Sequence, residues 1–114
     1  MNKKFLALGR MKAGTKNQLE TSYANYLEAR KQAGEILWYK FECIKLRLAD
    51  NCFFSPDFFV LLANGELEAH ECKGFMRDDA HVKLKVVAEE YPFRFVLVYA
   101  NAKKDGGGFR FIEV

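Results

Sequence analysis

Apolar positions along the chain follow two different periods, and the points where one gives way to the other set the predicted elements. From Thr15 to about Lys31, Leu19, Tyr23, Tyr26 and Leu27 recur at helical spacing and form one buried stripe. Thr15 with Gln18 after it fits a capping box, and Gly34 supplies a stop. Glu20 lies close to the stripe, in line with Ala24 and Leu27. From Glu35 to about Ala49 the period drops to two. Leu37, Tyr39 and Phe41 alternate with polar neighbours, then Ile44, Leu46 and Leu48 alternate on the opposite parity. The flip near Glu42-Cys43 predicts a bulge or a break between strands. Trp38, Tyr39 and Phe41 read as core.

Asp50-Asn51 turns the chain into a strand carrying Asp57, with Pro56 inside it. Proline gives no ladder donor, so an edge position or a bulge is expected there. Two apolar runs then meet at Asn64-Gly65, a dipeptide that favours a type I′ hairpin. After Gly74, Asp78 or Asp79 caps a second helix to about Glu90. Ala80, Leu84 and Val87 face the core, and His81, Lys85 and Glu89 share another face. Tyr91-Pro92 ends it. Phe93 to Tyr99, apolar except for Arg94, reads as a strand covered on both faces. Gly106 to Gly108 makes a turn into an edge strand from Phe109 to Val114. The order is helix, three or four strands, helix, strand, strand. That pattern predicts an α/β (α+β) class, with a mixed β-sheet flanked by helices.

At 114 residues, half of them hydrophobic and 11 of them Phe, the chain has enough apolar surface for one core. The division expected is a basic arm over 1–14 and a single domain over 15–114. The net charge of +3 is modest, but Lys3, Lys4, Arg10, Lys12 and Lys16 precede the first acid. Such an arm suits nucleic-acid phosphates, or is simply solvated. Cys43, Cys52 and Cys72 form no CxxC pair, and no signal peptide is evident, so an intracellular, cytoplasmic setting is expected. No apolar run approaches the roughly 20 residues of a membrane span. Neither the cysteines nor His70 and His81 show zinc-site spacing. The Gly106–Gly108 run lacks the helix and Lys-Ser/Thr of a nucleotide loop.

The charges on the hairpin carry the chemistry. Glu71 and Lys73 fall on one strand face, with His70 and Cys72 on the other. Folding back at Asn64-Gly65 brings Asp57 alongside Glu71. Two carboxylates and an ammonium at one sheet end suit a hard divalent cation beside a phosphate. Each residue also has a plainer reading: Glu71 and Lys73 as a solvated strand pair, Glu20 as ordinary helix surface, Lys83 and Lys85 as a wet helix face.

Pro56-Asp57, thirteen intervening residues and then Glu71-Cys72-Lys73 resembles the PD-(D/E)XK nuclease motif. From about Thr15 to Tyr99 the element order resembles that superfamily's restriction-endonuclease-like αβββαβ core. The nearer likeness is to small phage-encoded endonuclease-like proteins related to the virus-type replication-repair nuclease and Holliday-junction resolvase groups. The resemblance implies a Mg²⁺- or Mn²⁺-dependent DNA endonuclease of phage recombination, repair or processing, in the host cytoplasm if phage-encoded. It implies catalytic roles for Glu20, Asp57, Glu71 and Lys73, with Gly74-Phe75 following. Metal ligands would be Asp57, Glu71, Glu20 and the Cys72 main-chain carbonyl. Lys12, Lys16, Lys83 and Lys85 would contact the DNA backbone. Without a separate specificity domain, branched or junction DNA is the expected substrate, and a homodimer the expected assembly. The alternatives are a non-catalytic nucleic-acid-binding or assembly module on the same fold, and a structural phage protein.

Overall fold

The computed structural model describes residues 16–73 and 78–114, with side chains for all but residues 78–81. The basic arm with Lys12, the Thr15 cap, Gly74-Phe75 and the side chains of Asp78, Asp79 and His81 therefore lie outside the described residues. Helix α1 is Gln18–Gln32, followed by β1 (Ile36–Phe41), β2 (Leu46–Ala49), β3 (Cys52–Phe54), β4 (Phe58–Leu62) and β5 (Leu67–Cys72). Helix α2 (Asp78–Glu90), β6 (Arg94–Ala100), a single 3-10 turn (Lys103–Asp105) and β7 (Phe109–Glu113) complete the order. The expected mixed sheet flanked by helices is present. Five strands run in the order β1-β4-β5-β6-β7, and β2 and β3 form a separate pair.

The sheet is an antiparallel meander except between β5 and β6, which pair in parallel. Parallel neighbours need a crossover, and α2 provides it. Tyr23 and Leu27 of α1 pack against Ile36, Phe58, Val60, Cys72, Val96 and Val98 on one face. Leu84 and Val87 of α2 pack with Ala69, Phe95, Leu97, Leu46 and Phe54 on the other. Each large side chain fully removed from water there stabilises the fold by about 1.5–3 kcal/mol. The apolar run of β6 is buried on both faces because it lies between these two clusters.

Four local expectations need correction. The α1 cap is Asn17, not Thr15: Glu20 donates its main-chain N–H to Asn17 Oδ1 (2.8 Å), and Asn17 donates its own to Glu20 Oε1 (2.9 Å). The hairpin turn is not type I′, which needs positive φ at both central residues. Only Gly65 is left-handed (φ 92°). Gly65 donates to the Leu62 carbonyl (2.9 Å) and Leu62 to the Glu66 carbonyl (2.8 Å), a longer loop with one glycine in the left-handed position. Asn64 Oδ1 accepts the Glu66 N–H instead of taking a left-handed backbone.

Pro56 is neither within a strand nor on an edge. It is buried in the link between β3 and β4, and β4 is an interior strand. Finally, Trp38 is 37% exposed. The register of β1 shifts between Ile36 and Trp38, and α2 lies over β6 and the β2–β3 pair, leaving the outer part of β1 uncovered. The parity flip near Glu42 is a break between strands: Glu42 itself has φ 47°, and β2 leaves the main sheet.

Candidate functional site

Register brings the candidate carboxylates together. In the β4–β5 ladder Phe58 faces His70 and Phe59 faces Ala69, so one further step sets Asp57 opposite Glu71. The main chain fixes the pair from both sides. Asp57 donates its N–H to Glu71 Oε1 (3.0 Å), and Cys72 donates its N–H to Asp57 Oδ2 (2.9 Å). Lys73 Nζ lies 3.4 Å from Glu71 Oε2. The Lys73 main-chain N–H continues the ladder to the Val98 carbonyl (2.9 Å), which holds the lysine beside the end of β6. Glu42, at the exit of β1, donates its main-chain N–H to the Asp57 carbonyl (2.9 Å).

Glu20 reaches the same place from α1. One of its oxygens closes the helix cap, and its carboxyl is near enough to Asp57 and Glu71 for its charge to raise both. All four candidate catalytic residues therefore meet at one end of the sheet, half-buried. Burial, followed by the charges of Glu71 and Glu20, pushes the Asp57 carboxyl up to about 8, against the main-chain bond from Cys72 that favours its ionised form. Glu71 is also raised, chiefly by burial, with the Lys73 charge opposing.

Crowded carboxylates that resist ionisation are short of positive charge, and among the described residues Lys73 is the cation paired with Glu71. A hard divalent cation fits that deficit. Among the described residues no group of three Asp, Glu, His or Cys side chains stands at metal-holding spacing. The side chains that could hold such a cation are the Asp57 and Glu71 pair, a donor number that would suit Mg²⁺, which takes one or two carboxylates and keeps its waters. The Cys72 thiol is no ligand here. Its side chain is buried in the α1 cluster, and burial raises it far above the range in which a thiolate forms.

The cationic candidates divide. Lys16 Nζ sits over the Phe41 ring at 4.8 Å, and Phe41 pairs with Phe58, next to Asp57. Lys83 and Lys85 are exposed on α2. Lys85 lines a groove with Glu89, Leu97, Ile112, Glu113 and Val114, none of them a candidate site residue.

One buried polar chain escaped the sequence reading. The Tyr23 hydroxyl is 2.6 Å from His70 Nδ1, His70 Nε2 is 2.9 Å from Glu68 Oε1, and Arg94 donates to Glu68 Oε2 (2.7 Å). Glu68 is held below the usual carboxylate range, first by the His70 bond and then by Arg94, so it accepts from Nε2–H. Burial keeps the Tyr23 hydroxyl protonated, and it donates to Nδ1. His70 is thereby bonded at both ring nitrogens within the fold. Its only signal in sequence was two polar residues, Glu68 and His70, on the inward parity of β5.

No helix among the described residues is long and apolar enough to cross a membrane. No family model, curated protein or solved structure matches the chain.

Proposed function

We propose that the chain is a divalent-metal-dependent DNA endonuclease that hydrolyses phosphodiester bonds, acting in phage DNA recombination, repair or processing within the host cytoplasm. One observation carries the reading. Asp57, Glu71 and Glu20, from three separate elements, crowd one sheet end with Lys73 beside them, at a cost in carboxylate ionisation that a bound cation would relieve. The sequence resemblance supports the same assignment.

Asp57 and Glu71 would hold Mg²⁺ or Mn²⁺, with the Cys72 carbonyl as the further donor that the resemblance implies. When bound, the ion neutralises phosphate charge and makes water acidic enough to attack at neutral pH. Lys73, tethered by Glu71, orients the attacking water and offsets negative charge on the phosphorane-like transition state. Glu20 adds a carboxylate at the edge of the pair, within reach of a water proton. Lys16 steers the DNA backbone, with affinity falling as salt rises. Junction or branched DNA, cut by a homodimer, is the substrate and assembly proposed, because paired cuts need a second site.

The second reading is a non-catalytic nucleic-acid-binding module. It is favoured by the main-chain bonds that already occupy Glu71 Oε1 and Asp57 Oδ2. A cleavage assay separates the two. Supercoiled, linear, single-stranded and four-way-junction DNA are incubated with Mg²⁺, Mn²⁺ or EDTA. Metal-dependent cutting lost in both Asp57→Ala and Lys73→Ala supports the nuclease. Binding without cutting supports the module.

A further inference from the structure

The parallel pairing of β5 and β6 points both of their C-terminal ends the same way, so the segment after β6 leaves the sheet on the Glu71–Lys73 side. That segment is a tight loop. Asn101 donates to the Gly108 carbonyl (2.9 Å), Gly107 to Ala102 (3.1 Å) and Gly106 to Lys103 (3.1 Å). Three successive glycines at φ 96°, 68° and 72° permit this path, and a Cβ at any of them would meet only open space. The glycines thus serve the backbone conformation and also leave the loop surface bare.

Facing the loop is the first turn of α1. Between them lies a groove of about 490 Å³ lined by Gln18, Leu19 and Ser22 of α1 and by Asn101, Lys103 and Phe109 of the loop and β7. The volume falls within the range of small-molecule sites, about 300–1,000 Å³. Its lining combines an apolar floor (Leu19, Phe109), two amide side chains (Gln18, Asn101) and one ammonium. Lys103 has no ion-pair partner among the described residues. Leu19 precedes Glu20 directly, and Asn101 follows Val98, the acceptor of the Lys73 main-chain N–H, by three residues. The groove thus lies at the same end of the sheet as the carboxylates.

We infer that this groove is a nucleotide subsite for one unpaired base of the DNA strand being processed. The base lies on the apolar floor with its polar edge on the Gln18 and Asn101 amides, and the adjoining phosphate contacts Lys103. A flat ring with donor and acceptor edges matches an apolar floor bordered by amides, which each donate and accept. The phosphate matches the unpaired ammonium. This inference rests on the proposed nuclease reading for its DNA substrate, and it deepens that reading towards strands with unpaired nucleotides.

The test uses a short single-stranded oligonucleotide carrying 2-aminopurine at successive positions, bound in EDTA and again in Ca²⁺. Ser22→Leu narrows the groove from its α1 wall, and Lys103→Glu reverses its charge. Neither residue belongs to the carboxylate site. The expected result is a fluorescence change confined to one position, lost in Ser22→Leu. Lys103→Glu should reduce the slope of log affinity against log salt by about one. An equal response at every position, no binding of the oligonucleotide, or groove variants that behave as wild type would overturn the subsite. Plasmid cleavage run in parallel keeps the two readings apart. Wild-type cutting by the groove variants removes the subsite and leaves the nuclease, whereas position-specific binding without any cutting removes the nuclease and leaves the subsite.

Discussion

Asp57 and Glu71 are bonded crosswise: the Asp57 main-chain N–H is held by Glu71 Oε1 at 3.0 Å, and Asp57 Oδ2 holds the N–H of Cys72, the next residue along, at 2.9 Å. Each carboxylate is thus fixed by the other's strand, and neither can swing away from its like-charged neighbour.

That constraint makes stability depend on pH in a defined direction. Asp57 rises from an ordinary 3.8 to about 8 in the folded chain, so between those values the native state binds the proton that the unfolded state has lost. Its contribution is fully present below about pH 4 and disappears as pH rises through 8. In EDTA, the melting temperature of wild type minus that of Asp57→Asn should therefore fall across this window. Asparagine keeps an oxygen for the Cys72 N–H while removing the charge, so the difference isolates the titration. Scanning fluorimetry at several pH values checks it, and a flat difference would remove the crowding argument.

The Tyr23–His70–Glu68 chain links α1 to the central strand through the core. Removing the hydroxyl in Tyr23→Phe leaves the buried His70 Nδ1 without its 2.6 Å partner. The expected cost is about 1–3 kcal/mol, the penalty for stranding a buried polar group. His70→Ala should cost more, because it strands both the Tyr23 hydroxyl and one Glu68 oxygen and opens a cavity as well. Urea unfolding of the two variants measures the order. Equal, small losses would mean that the chain is not closed in solution.

Much of this arrangement is legible in sequence for a physical reason. The apolar runs on either side of Asn64-Gly65 announce the hairpin and bring Asp57 near Glu71, but they do not set the exact register. A two-residue turn would set Asp57 opposite Cys72, and the longer loop closed between Leu62 and Glu66 shifts the ladder by one to set it opposite Glu71. The stripe through Tyr23 and Leu27 fixes which face of α1 is covered. The hidden parts are those where tertiary partners override local pattern. Leu46 and Phe54 are as apolar as any main-sheet residue, yet they belong to a separate two-stranded piece that packs under α2. Glu68 and His70 look solvated in a list of residues and are buried only because Tyr23 and Arg94 complete their bonds. The dual use of Glu20, as cap and as a site carboxylate, depends on where α1 begins.

Gly65 is the point at which the hairpin register is set. A Cβ there would touch nothing, so any cost of Gly65→Ala comes from φ 92° alone. Placing a residue with a Cβ in the left-handed region costs roughly 1–2 kcal/mol. Gly65→Asn, which tolerates that region better, should lose clearly less. Chemical denaturation of the pair tests this, and equal losses would point to a packing role for the glycine instead.

Glu20 offers the sharpest separation of structure from chemistry. Its carboxyl closes the α1 cap on Asn17 and also adds negative charge beside Asp57 and Glu71. Glutamine keeps the capping box but removes the charge. Glu20→Gln should therefore hold wild-type stability in EDTA, or gain slightly near pH 8, where repulsion with ionised Asp57 is relieved. Alanine also loses the bond from the Asn17 N–H, half of the capping box, while the Asn17 side chain still caps the helix, and should cost about 0.5–1 kcal/mol. With Mg²⁺ at a hundredfold over its dissociation constant, wild type should gain about 2.7 kcal/mol, and Asp57→Asn should gain nothing. If Glu20 supplies charge to a bound cation, the gain in Glu20→Gln falls below that of wild type at the same Mg²⁺ concentration. An undiminished gain would leave Glu20 as the helix cap alone and confine the cation to Asp57 and Glu71.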